Sequence, residues 1–314
     1  MIHDSAPDEN GKRKMKNWFK DYKNFDVRVG KSEKLIKSLP DKSIKLFYGS
    51  PPYPNAKRSY GVWKTEEYLN KMKPYLKNIK TKMKNDGFIV INVKANRDLA
   101  TKNKSSQRSL IVEKLAIQMQ EEYELYCVDI EIWVKTNPVP TGVRVATQDA
   151  YEYILWFSVS PKWEINIDSI RRPYKESTLK TYDNTIFKKR AVDNPQYVTK
   201  DKKISPNEDG ALPINVIIGS SSVKSVNHPA CQPGYLSERY ILATTNEGDI
   251  VFDPWNGSGT TGIESLKLNR KYIGFDMNEE YICLTKKYLI EITNNKKDVV
   301  KKERRRRQDR EYRT

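Results

Sequence analysis

Apolar positions along the chain fall into short blocks whose spacing switches between the strand period and the helix period. Val27 to Gly30 reads as a short strand. Ser32 to Leu39 reads as a helix, with Ser32 at its N-cap and Leu35, Ile36 and Leu39 on one side; Pro40 and Asp41 stop it. Ile44, Leu46, Phe47 and Tyr48 form an apolar strand that runs straight into Gly49-Ser50-Pro51-Pro52-Tyr53. Glu66 to Met83 has helical spacing with a proline inside, and Phe88 to Val93 is a strongly apolar strand after Asp86-Gly87. Ser109 to Gln120 predicts an amphipathic helix, and Leu125 to Val134 and Glu152 to Val159 predict two more strands. The pattern then fades and resumes late. A strand from Ile250 to Phe252 ends in Asp253, a helix follows over Thr260 to Leu268, a strand from Tyr272 to Phe275 ends in Asp276, and a helix covers Glu279 to Ile292. Strands alternating with helices predict an α/β fold with a mostly parallel sheet.

The irregular stretch has a character of its own. Arg171, Arg172, Lys175, Lys180, Lys188, Lys189, Arg190, Lys200, Lys202 and Lys203 meet only four acids, and Tyr174, Tyr182, Phe187 and Tyr197 interleave with them. Taken alone, this is a charged surface loop or a segment facing nucleic acid. These changes divide the chain into a polar, basic extension (1–24), a first α/β half (25–164), an insert (165–212), a second α/β half (213–292) and a basic tail (293–314).

Composition narrows the classes. The chain has 314 residues, with 57 Lys and Arg against 40 Asp and Glu, a formal net charge of +17. That length holds one large domain with a smaller insert. The charge points to a polyanionic partner, a nucleic acid or a membrane surface. No segment reaches the roughly 18 apolar residues of a membrane span. The basic stretches also lack an apolar helical face, which disfavours the membrane surface. Met1 to Asn10 lacks the pattern of a secretory signal, and Cys127, Cys231 and Cys283 are too scattered for a disulfide framework or a zinc knuckle. A cytoplasmic protein is expected. His3 and His228 are the only histidines, so a histidine metal centre or triad has little to draw on.

Two loops carry candidate chemistry. Asp253-Pro254-Trp255-Asn256-Gly257-Ser258-Gly259-Thr260-Thr261 follows a strand and opens a helix. Gly257 and Gly259 permit a tight turn and close approach to a ligand, and the helix start offers backbone N–H groups. Asp253 suits a ligand with an amino group. Asp276, ending the next strand, can accept hydrogen bonds from ribose hydroxyls. The loop is neither a Walker A motif nor a dinucleotide GxGxxG. The second loop, Ser50-Pro51-Pro52-Tyr53, has a backbone fixed by two prolines. The Ser50 hydroxyl and the Pro51 carbonyl can accept hydrogen bonds from an exocyclic amine, and Tyr53 can stack on a flat base.

Together these loops resemble the bacterial DNA amino-methyltransferases, whose marks are a (Ser/Asp/Asn)-Pro-Pro-(Tyr/Phe) loop and an Asp-Pro-Phe-x-Gly-Ser-Gly-Thr-Thr loop. Here Trp255 stands where that family usually has Phe. The serine loop comes first and the glycine loop far downstream, which resembles the permuted beta-type arrangement. Asn227-His228-Pro229-Ala230 resembles the segment that wraps the methionine end of the cofactor, and His228 and Pro229 are assigned to it by that resemblance. Lys31 replaces an acid that the family often has after Gly30. The resemblance implies a Rossmann-like methyltransferase fold with a mixed, mostly parallel sheet, a circularly permuted motif order and a basic target-recognition insert.

The implied reaction moves a methyl group from S-adenosyl-L-methionine to an exocyclic amine of a base flipped out of duplex DNA. Ser50, Pro51, Pro52 and Tyr53 are the expected catalytic residues. The amine proton leaves to Ser50, to Pro51 or to solvent, with no dedicated base. Ser50 at the first loop position resembles the N4-cytosine enzymes, and N6 of adenine is the alternative. An RNA methyltransferase and a DNA binder without catalysis are further alternatives. None of the cysteines follows a proline, which argues against C5-cytosine chemistry. Lys57, Arg58, Arg144, Arg171, Arg172, Lys188, Lys189 and Arg190 are the candidate DNA contacts. A cognate restriction endonuclease and a second copy of the chain are partners the resemblance leaves open.

Overall fold

The computed structural model describes residues 18–56, 61–97, 102–138, 146–184, 206–221 and 232–294. Its strands are β1 (Phe25–Val29), β2 (Ile44–Gly49), β3 (Met83–Val93), β4 (Tyr126–Lys135), β5 (Tyr151–Ser158), β6 (Val216–Gly219), β7 (Ile250–Asp253) and β8 (Lys271–Asp276). Its helices are α1 (Ser32–Leu35), α2 (Tyr68–Lys82), α3 (Ile111–Glu121), α4 (Glu176–Asn184), α5 (Gly234–Thr244), α6 (Thr260–Lys267) and α7 (Glu279–Asn294). The strands make one eight-stranded sheet in the order β1-β8-β7-β2-β3-β5-β4-β6. From β1 to β3 every pairing is parallel; β5 runs antiparallel to both β3 and β4, and β4 pairs parallel with β6. β2, from the first half of the chain, lies beside β7, from the second. This is the permuted Rossmann-like methyltransferase arrangement that the resemblance implies.

Alternation along the central strands feeds two cores. Phe47, Ile89, Ile91, Leu155, Phe157, Phe252, Ile273 and Phe275 face one side and pack under α2, α3 and the turn at Ile36 to Leu39. Leu46, Tyr48, Phe88, Val90, Ile154, Trp156 and Val251 face the other side and pack under α5, α6 and α7. The buried runs of β2, β3 and β7 read as continuous apolar segments because both faces are covered.

The structure departs from the sequence pattern in four places. The expected helix over Ser32 to Leu39 is α1 followed by a 3-10 turn at Ile36–Ser38. Ser32 is its first residue rather than its cap, and its hydroxyl donates to the Pro254 carbonyl at 2.6 Å. β3 starts at Met83, not Phe88: Ile44 pairs with Met83 and Leu46 with Phe88, so Asp86-Gly87 sits in an irregularity of the ladder. β6 and α5 are not among the elements expected from the sequence pattern. Of the insert, residues 165–184 and 206–212 are described. Arg172 and Ala211 exchange backbone hydrogen bonds of 3.0 and 2.8 Å, tying its two ends together. Among the described residues no helix is long and apolar enough to cross a membrane.

Candidate active site

One edge of the sheet collects the polar groups. β7 ends in Asp253, β8 in Asp276, and β2 delivers Ser50. Asn92 lies near the end of β3 and Lys135 ends β4. β5, running the other way, brings Glu152 to the same edge at its start. Ligands of open α/β sheets bind in the crevice outside the carboxyl ends of the strands.

The glycine loop is held by its own side chains. Asp253 is 4% exposed; its Oδ1 accepts the Trp255 N–H at 2.9 Å and its Oδ2 the Thr261 hydroxyl at 2.8 Å. Burial pushes its carboxyl up to about 7, and the charge of Asp276 adds to the rise. Gly257, at φ 49°, donates its N–H to Asp276 Oδ2 at 2.8 Å. Gly259, at φ 81°, caps α6 from the left-handed region and donates its N–H to the Asn256 carbonyl at 2.9 Å. Ser258 and Thr261 are buried, and Thr260 opens α6. Asn256 locks the loop from below, donating to Thr285 Oγ1 at 2.9 Å and accepting the Tyr272 hydroxyl at 2.8 Å. Trp255 wedges between Phe47 and Tyr75, with ring centroids 5.7 and 4.8 Å away.

The serine loop lies directly against it. A methyl group on Gly49 would sit 2.8 Å from Trp255 Cε3 and 3.0 Å from Asp253 Oδ1, so the two loops touch across a glycine. Pro51 is buried, while Ser50, Pro52 and Tyr53 are half-buried. The Tyr53 hydroxyl is 2.6 Å from Glu152 Oε2 and 3.2 Å from Asn92 Oδ1, and Ser50 Oγ donates to it at 3.2 Å. Burial, reinforced by the Glu152 charge, holds the Tyr53 phenol well above its ordinary pKa. Lys135 Nζ pairs with Glu152 Oε1. Asn92 Oδ1 also accepts Gln232 Nε2 at 2.8 Å, and its Nδ2 donates to the Tyr153 carbonyl at 3.1 Å.

A family model described as DNA methylase matches residues 44–287. The chain belongs to this N6/N4 DNA methylase family. The Type II methyltransferase M.PvuII of Proteus hauseri is 26% identical over 279 residues, 83% of this chain and 82% of its own. M.HinfI of Haemophilus influenzae, also a Type II methyltransferase, is 28% identical over 302 residues, 91% of this chain and 73% of its own. Among solved structures, the cytosine-N4-specific PvuII DNA methyltransferase superposes with a TM-score of 0.64 at 22% identity, covering 88% of this chain and 93% of its own. The M1.HpyAVI–SAM complex gives 0.52 at 21% identity, covering 84% and 98%. At these identities the superpositions speak for the fold.

Within this methylase, both motif loops meet at one edge of the sheet. His228 and Pro229 lie outside the described residues, as do Lys57, Arg58, Arg144, Lys188, Lys189 and Arg190. Arg171 and Arg172 are described, and their guanidinium groups are engaged. Arg171 bonds Asp168 Oδ1 and the Gly210 carbonyl, both at 2.7 Å, and Arg172 Nε bonds the Leu212 carbonyl at 3.1 Å. They brace the base of the insert. Gly210, at φ 102°, allows this, because a side chain there would overlap the Arg172 carbonyl. Lys31 is exposed on the N-cap of α1 and makes no side-chain cap. Sequence reasoning missed Asn92, Lys135 and Glu152. Their signal is polarity in the wrong phase: Ser50, Asn92, Glu152 and Lys135 continue the rows of Leu46–Tyr48, Phe88–Val90, Ile154–Trp156 and Trp133, all of which face the core under α5 to α7.

Proposed function

We propose that this methylase transfers a methyl group from S-adenosyl-L-methionine to the exocyclic N4 amine of a cytosine flipped out of duplex DNA. The observation that carries the reading is the contact of the two loops, in which Gly49, the residue before Ser50, lies against the buried side chain of Asp253. The donor set fits the cofactor. Two carboxylates, Asp253 and Asp276, flank a glycine turn at a helix start, and Asp253 is buried at a cost that a cationic ligand would relieve. Asp276 would hold the ribose hydroxyls, and Met277, exposed beside it, offers an apolar face to a base. His228 and Pro229 are carried into this set by resemblance. When bound, S-adenosyl-L-methionine supplies an electrophilic methyl group.

The residues of the chain then act by orientation. The lone pair of an exocyclic amine is drawn into the ring and is a poor nucleophile. Ser50 Oγ and the Pro51 carbonyl accept its two N–H bonds and hold the lone pair out of conjugation, aimed at the methyl group. The ring of Tyr53 receives the flipped base while its hydroxyl stays anchored to Glu152. Ser50 in the first position of its loop, with the cytosine-N4 specificity of one structural relative, supports cytosine. Duplex DNA is the partner we infer, with the insert and its basic residues as the contact, and the Type II relatives support a cognate endonuclease as a further partner. The test is transfer of tritium from methyl-labelled S-adenosyl-L-methionine to duplex DNA. Wild type should label DNA and Ser50→Ala should lose about 100-fold or more in rate. Cofactor binding with no labelling of any DNA would sink the reading.

A further inference from the structure

The polar cluster where β2, β3, β4 and β5 meet holds a buried carboxylate that the reaction so far leaves unused. We propose that Glu152 is the terminal proton acceptor of the methyl-transfer site, reached from the target amine through the hydroxyls of Ser50 and Tyr53. This rests on the reading of Ser50 as an acceptor for that amine, and it replaces the expectation that no dedicated base is required.

The direction of the chain of hydrogen bonds follows from its distances. Tyr53 has one hydroxyl proton to give, and Glu152 Oε2 at 2.6 Å outcompetes Asn92 Oδ1 at 3.2 Å, because it is both nearer and charged. With that proton committed, Ser50 Oγ donates to Tyr53 Oη. Ser50 therefore presents lone pairs, not a proton, to whatever enters the crevice. That is the polarity an exocyclic amine needs. Asn92, itself 1% exposed, is held in place by Gln232 and the Tyr153 carbonyl and takes no proton from the phenol.

The proton balance is simple. The amine nitrogen spends its lone pair on the new N–C bond, and the old bonding pair of the methyl group stays with the donor sulfur. The nitrogen, now cationic, gives one N–H proton to Ser50 Oγ. Ser50 passes its own proton to Tyr53 Oη, and Tyr53 passes its own to Glu152, which ends as the neutral acid. A protonated base-linked amine is a far stronger acid than a carboxylic acid, so a carboxylate is base enough. The raised pKa of Tyr53 means that no phenolate stands in the site; the hydroxyl gives up one proton as it takes another. Glu152 is 2% exposed and Lys135 compensates its charge. β4 and β5 are already paired along their length, so they need no buried ion pair to hold them together. A buried pair whose free oxygen points at a reactive loop is better explained by chemistry.

Glu152→Gln keeps the size and the contact with Tyr53 but removes the acceptor. Single-turnover methyl transfer should fall about 100-fold or more, with cofactor and DNA affinity within about twofold of wild type. Tyr53→Phe cuts the relay one link earlier, leaves the Glu152–Lys135 pair in place and should fall alike; the double variant should fall no further. In the free protein, the NMR titration of a ζ-13C-labelled Tyr53 should shift to lower pH in Glu152→Gln, since the Glu152 charge contributes to its rise. Glu152→Gln or Tyr53→Phe turning over at the wild-type rate would overturn the relay, as would losses that multiply in the double variant. Should Glu152→Gln fail to fold, the Tyr53→Phe rate decides by itself. A wild-type protein that methylates no DNA would instead remove the reading on which the relay rests.

Discussion

Asp253→Asn separates what the buried carboxylate costs the fold from what it gives the site. In the folded protein burial pushes its carboxyl up to about 7 from an ordinary value of 3.8. The folded state therefore holds a proton that the unfolded chain has already lost between those two values. Stability is fully present below the lower value and is lost as pH rises through the upper one. Asparagine mimics the neutral acid and keeps both contacts: its oxygen accepts the Trp255 N–H, and its amide faces Thr261 Oγ1, which can turn to accept. Between about pH 5 and pH 7 lie roughly two pH units at about 1.4 kcal/mol each, so the variant should gain roughly 2–3 kcal/mol on wild type over that interval. The gain should then stay flat above about pH 7.5. Urea denaturation of both proteins without cofactor, at a series of pH values, measures it, and the difference between the curves isolates this group. The same variant should bind S-adenosyl-L-methionine about tenfold or more weakly at pH 8, because a cationic ligand loses its counter-charge. A difference in stability that does not change with pH, or an Asp253→Asn protein less stable than wild type at pH 8, would refute the reasoning.

Three further outcomes follow. Gly49→Ala places a methyl group against Trp255 and Asp253, and should cost about 1–3 kcal/mol in urea denaturation and weaken cofactor binding with it. Arg239 holds Glu131 in a two-point ion pair beside the Tyr240 hydroxyl, so Arg239→Met strands a buried carboxylate at a cost of about 3–5 kcal/mol; adding Glu131→Gln should recover more than half of it. Arg171→Ala should loosen the insert but leave the salt dependence of nonspecific DNA binding unchanged, whereas loss of a phosphate contact would lower the log–log slope by about 0.9.

What the sequence revealed about the site was what sits in loops. Ser50 to Tyr53 and Asp253 to Thr261 are contiguous, each begins where an apolar run stops, and prolines and glycines mark them. The order of the strands was legible only through the resemblance, since no local pattern says that β2 lies beside β7. The polar floor left only a faint trace, polar residues in the buried phase of their strands. Glu152 and Lys135 stand far from either loop in sequence and look like ordinary charged residues in amphipathic strands. They become site residues because β5 runs antiparallel and starts where its neighbours end. α5 was hidden because Ser237, Glu238 and Arg239 interrupt its apolar face, and two of these are structural: Ser237 is buried, and Arg239 serves Glu131. That Arg171 and Arg172 also bind main-chain carbonyls was not legible, because charge is visible in a sequence while the carbonyls that engage it are not.

The central claim is the atom that receives the methyl group. Plasmid DNA grown with and without the protein, hydrolysed to nucleosides and resolved by mass spectrometry, tests it most directly. The account predicts N4-methylcytosine in the first sample and none in the second. N6-methyladenine in its place would contradict the assignment from Ser50 while leaving the two-loop site intact; no methylated base at all, from cells that hold the folded protein, would contradict the account as a whole.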